Sequence, residues 1–164
     1  RDLALATIVK NRVNRGGILA DGASFIKAGE KGKGIQSRWY PTTLHRRILD
    51  IDDIRDRFAV IHGNAFDICK INASRTDALY FIDPPYVKAG QRLYRHSEID
   101  HRSLFEHTAQ LRGDFLMTYD DHPEIRELAQ IFKFDIHSVP MKTTHHDKKY
   151  ELLIGRDLQW LDSE

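Results

Sequence analysis

Asp83-Pro84-Pro85-Tyr86 is the stretch of this chain whose residue types and order best suit a chemical task. It follows Leu79-Tyr80-Phe81-Ile82, a short apolar run that reads as a strand buried on both faces. Proline has a fixed φ and no backbone donor, so the strand must stop at Pro84. Asp83 then stands at the carboxyl end of a buried strand, the edge where open α/β sheets bind ligands. A carboxylate there can accept one N–H of an aromatic exocyclic amine, and the Pro84 carbonyl can accept the other. Both bonds favour a more tetrahedral nitrogen with a localised lone pair. Tyr86 offers a flat face for stacking, and Pro84 and Pro85 hold the loop stiff at little entropic cost. The plainer alternative is a strand-end Asp that caps a turn, with the two prolines as stiffeners.

The elements that must position this loop follow from periodicity. Residues 1–13 read as a helix, rich in Ala and Leu with a broad apolar face. Residues 14–40 are irregular and glycine-rich, with a β-hairpin expected around Lys31-Gly32-Lys33-Gly34. A helix is predicted over 41–57, with Thr42 or Thr43 as cap and Leu44, Ile48, Ile51, Ile54 and Phe58 at helical spacing. Ala59–His62 reads as a short strand, followed by a turn at Gly63–Asp67 and a helical turn to Ile71. A helix from Asp100 to Leu111 stops at Gly113. A buried strand over 114–119 and a helix from Pro123 to about Phe132 follow. Residues 134–139 and 149–154 alternate as a strand pair joined by a polar turn. Strands alternating with helices argue an α/β fold with a mostly parallel sheet and an antiparallel edge pair.

Charge is unevenly spread. Residues 1–47 carry ten Lys/Arg against Asp2, Asp21 and Glu30, a net +7, and the remainder carries −6. This suggests a polyanion-facing surface in the first third, as against an ordinary solvated one. The glycines of 14–40 let backbone approach a ligand, and Arg12, Asn14, Arg15, Lys27, Lys31, Lys33 and Arg38 are candidate phosphate contacts. Lys88, Gln91, Arg92 and Tyr94 follow the Asp83 loop directly and are placed to hold a nucleic-acid strand.

Other chemistries find little support. There is no Gly-x-Gly-x-x-Gly after a strand and no Gly-Lys-Ser/Thr. The nine His lack metal-ligand spacing, so no metal is expected. No apolar run approaches the length of a membrane span. The single Cys69 reads as a small core residue and fits a reducing, cytoplasmic setting.

The motif and its flanks resemble a known family. Asp83-Pro84-Pro85-Tyr86 is similar to the catalytic motif of Dam-like DNA adenine-N6 methyltransferases. Asn11-Arg12-Val13-Asn14-Arg15-Gly16-Gly17 resembles the segment that opens that family's DNA-contacting region. Phe115–Asp121 and Tyr150–Ile154 resemble its later strands. The resemblance implies a Rossmann-like methyltransferase domain over 1–164, with residues 14–57 contacting double-stranded DNA. It also implies S-adenosylmethionine as cofactor and the amine of an extruded adenine as acceptor. Asp83, Pro84, Pro85 and Tyr86 would act on the amine. Asp83, Phe66 and one of Asn64 or Asp67 would sit near the cofactor; as a turn-former and a core residue, Asn64 and Phe66 also have plainer readings. Two alternatives remain: a catalytically inactive DNA-binding remnant, and an amine methyltransferase acting on RNA or a smaller substrate. The family's upstream Phe-x-Gly-x-Gly segment and the acidic residue after it have no counterpart here. The domain is therefore expected to be N-terminally incomplete, and to bind cofactor poorly by itself.

Overall fold

The computed structural model describes residues 1–87, 99–142 and 148–162. The described residues divide into two compact units, Arg1–His62 and those from Gly63 onward. Lys88, Gln91, Arg92 and Tyr94 lie outside the described residues, as do Thr143, Thr144, His145 and His146 of the polar turn.

The first unit holds α1 (Asp2–Val13) and α2 (Pro41–Asp53), with 3-10 turns at Arg15–Gly17, Glu30–Gly32, Gly34–Arg38 and Arg55–Arg57. The expected hairpin around Lys31–Gly34 is absent. Gly29, Gly32, Gly34 and Lys31 all take positive φ, which curls the chain into successive turns instead of extending it. Gly29 is packed so closely on Ser37 and the Gly34 carbonyl that a Cβ would not fit. Neither Thr42 nor Thr43 caps α2. Tyr40 is its N-cap and Pro41 its first residue, since the proline's preset φ suits that position. Ala59–His62 forms no strand. No described strand pairs with it, and Val60 and Ile61 are 89% and 66% exposed.

The second unit holds α3 (Ala65–Asn72), β1 (Leu79–Ile82), α4 (His101–Ala109), β2 (Asp114–Asp120), α5 (Pro123–Phe132), β3 (Asp135–Lys142) and β4 (Lys148–Gly155). The four strands form one mixed sheet in the order β1-β2-β4-β3. β1 runs parallel to β2, and both β2·β4 and β4·β3 are antiparallel. The fold is thus α/β, as expected, and the final antiparallel pair is present. The described sheet is not mostly parallel, because only one of its pairings is.

One core organises this unit. Leu104, Phe105, Leu111, Phe115, Met117, Tyr119, Ile125, Leu128, Ala129, Phe134, Leu152 and Ile154 form a single buried cluster. Cys69 packs partly buried against it, and burial pushes its thiol pKa up, so it serves as a small apolar residue. Asp100 caps α4, its carboxylate accepting from Ser103 N at 2.9 Å. Gly113 ends the following turn because the Ala78 carbonyl lies where a side chain would be. β1 departs from expectation. One of its faces packs on the core through Tyr80 and Ile82, while Leu79 and Phe81 on the other are 77% and 68% exposed.

No helix among the described residues is long and apolar enough to cross a membrane.

Candidate functional site

Asp83 follows the last residue of β1 and is exposed, whereas Pro84 is buried and Pro85 and Tyr86 are half-buried. The register explains what lies beside it. Ile82 pairs with Met117 on β2, so the next residue of each strand comes together beyond the pairing. Those residues are Asp83 and Thr118. Thr118 Oγ1 donates to Asp83 Oδ1 at 2.8 Å. The carboxylate therefore has one oxygen held by the protein.

Tyr86 turns back over the carboxyl end of β2. Its ring centroid is 6.1 Å from that of Tyr119, at a 32° tilt. Burial pushes its hydroxyl pKa up to about 12, with Thr118, Glu151 and Asp83 also acting on it. Tyr119 is fully buried, and burial raises its pKa as well. Its Oη lies 2.8 Å from His101 Nδ1, and burial lowers the His101 pKa. Both shifts favour the neutral forms, so a neutral phenol and a neutral imidazole share this hydrogen bond.

The same end of the sheet is acidic. Asp120 stands opposite Glu151 across β2 and β4. Asp120 Oδ1 and His122 Nδ1 are buried without a hydrogen-bond partner. No group of His, Cys, Asp and Glu able to hold a metal ion occurs among the described residues.

The candidate cofactor residues sit on α3. Asn64 is its N-cap, with Oδ1 accepting from Phe66 N at 3.0 Å, so its carbonyl oxygen makes the turn. Phe66 is half-buried, its ring edge-on to His107 at 5.1 Å between centroids. Asp67 is exposed in the first turn. Tyr80 Oη donates to the Asn72 carbonyl at 2.7 Å, which ties the far end of α3 to β1. Thus α3 and the Asp83 loop belong to one packed unit.

The candidate DNA contacts sit in the first unit and divide into two kinds. Arg15, Lys27, Lys31 and Lys33 are exposed, and Arg12 is half-buried. Asn14 and Arg38 are used internally. Asn14 is buried, and its Nδ2 donates to the Ile18 carbonyl at 2.7 Å. Arg38 Nη1 reaches the carbonyls of Asn11 and Asn14 at 3.3 and 3.5 Å, satisfying the end of α1.

Sequence reasoning did not single out Thr118, Glu151 or His101. For Thr118 a signal existed, an aliphatic hydroxyl inside the otherwise apolar and aromatic strand Phe115–Tyr119. A buried polar residue calls for a partner.

No protein-family model matches this chain, and neither does any curated protein.

Proposed function

We propose that this chain carries the acceptor-binding site of a DNA adenine-N6 methyltransferase of the Dam-like type, on a Rossmann-like methyltransferase fold. The observation that supports this most is the pairing of Asp83 with Thr118 at the mouth of a parallel strand pair, directly before two prolines and a tyrosine. Asp83 Oδ2 and the Pro84 carbonyl accept the two N–H bonds of the amine. They draw its lone pair out of the ring, and the Tyr86 ring stacks on the extruded base. No proton need reside on Asp83 for this, because it acts as an anionic acceptor. Exposure of Asp83 leaves room for the base to approach.

For S-adenosylmethionine the fit is partial. Phe66 and Asp67 supply an apolar face and a carboxylate for an adenosine end. Among the described residues no glycine-rich turn follows a strand to receive the methionine end. When bound, the cofactor supplies an electrophilic methyl group, and this chain's own residues orient the nitrogen that takes it. Double-stranded DNA is the partner the basic first unit suits, through Arg15, Lys27, Lys31 and Lys33.

An acceptor panel tests this reading. The longest natural protein containing these residues is incubated with methyl-labelled S-adenosylmethionine and unmethylated duplex DNA, RNA or free adenosine. Label in DNA, recovered as N6-methyladenine, is the expected result. Label in RNA or adenosine alone would replace the DNA reading. No label in any acceptor, with the cofactor bound, would reject methyl transfer.

A further inference from the structure

We propose that Thr118 is the positioning residue of this site: its hydroxyl pins Asp83 Oδ1 and leaves Oδ2 as the acceptor for the substrate amine. The inference rests on the methyltransferase reading above and adds to it a residue from outside the Asp83–Tyr86 loop.

Asp83 is exposed and lies past the end of β1. The terminal torsion of an aspartate is broad, so an unrestrained carboxylate there would sample many orientations. Transfer needs one, because a misplacement of about 1 Å costs on the order of a hundredfold in rate. Thr118 is suited to impose it. It is 9% exposed, in a strand hydrogen-bonded on one side to β1 and on the other to β4, where its own partner is Leu153. Its β-branched side chain is stiff at χ1. A hydroxyl on such a base is a fixed point, and the 2.8 Å bond transfers that fixity to the carboxylate.

Thr118→Val keeps the shape and removes the hydroxyl; Thr118→Ala is a second hydroxyl-free variant; Thr118→Ser restores the donor. In adenine methylation, kcat should fall about a hundredfold in Val and Ala. KM for DNA should stay unchanged, and Ser should recover most of the rate. A purely structural role would not separate Ser from Val in this way. In parallel, a double-mutant cycle of Thr118→Val with Asp83→Ala is read by urea unfolding. It should show coupling of about tenfold in the unfolding equilibrium constant. Absence of coupling, or hydroxyl-free variants as fast as wild type, would overturn the proposal. Coupling with a wild type that methylates nothing would instead overturn the methyltransferase reading, and with it the catalytic role given to Thr118.

Discussion

The two units of this chain are held by different forces. Every buried apolar side chain among the described residues lies in Gly63–Glu164. In Arg1–His62 the described buried residues are Asn14 and Ser37, both polar. There the chain is organised by side chains bonded to carbonyls: Asn11 Nδ2 to Gly17 at 2.9 Å, Asn14 Nδ2 to Ile18 at 2.7 Å, and Arg38 to the end of α1. Leu3, Leu5, Ile48, Leu49 and Ile51 stay exposed. An aromatic core makes a stiff platform, and the Asp83 loop stands on it. A polar scaffold with positive-φ glycines shapes a backbone surface at little cost in core, which suits a unit that presents basic side chains.

That contrast can be broken by substitution. Phe105 is fully buried and stacks near Tyr119, Phe132 and Phe134. Phe105→Ala should cost about 3–5 kcal/mol, seen as a lowered urea midpoint for the Gly63–Glu164 amides. A loss below about 1 kcal/mol would show that the cluster is not the source of stability. In the first unit the sensitive position should be polar. Asn14→Ala removes a buried donor and leaves the Ile18 carbonyl short of a partner, for an expected loss of about 1–3 kcal/mol. Hydrogen exchange of the residue 11–26 amides reads it. Unaltered protection there would mean that the glycine turns alone hold the unit.

A smaller effect concerns pH. Tyr86 carries a pKa of about 12 in the folded chain against an ordinary 10.0. Between those values the unfolded chain releases the proton and the folded one keeps it. Stability from this group is thus complete below pH 10 and declines as pH rises toward 12. Tyr119 acts in the same direction. Tyr86→Phe should flatten part of that alkaline decline, followed by unfolding midpoints across the range. An identical decline in the variant would place the cause elsewhere.

What could be read from the sequence follows the same division. β2, α4, α5 and the β3–β4 pair are legible because each carries a one-period apolar pattern with a hard stop, such as Gly113 or Pro123. Those patterns end up in the core. Residues 59–62 have the composition of a strand, yet a strand exists only through a neighbour, and composition is silent about that. Lys31 is not a residue type that announces positive φ, so the turns at 29–34 were hidden behind a hairpin expectation. Arg38 and Asn14 looked like surface groups for a polyanion because charge and polarity alone do not tell a carbonyl partner from a phosphate. The place of Asp83 at the end of β1 was legible from the apolar run and the two prolines around it. Thr118 was not, because the bond between them joins residues 35 apart and arises from the β1–β2 register.

The central claim is that Asp83 presents an adenine amine for methylation. Its most direct measurement is nucleoside mass spectrometry of duplex DNA after incubation with S-adenosylmethionine and either wild-type protein or Asp83→Ala. The account predicts N6-methyladenine from the wild type and a loss of on the order of a hundredfold or more in the variant, with DNA binding retained. N6-methyladenine formed equally by both proteins would contradict it.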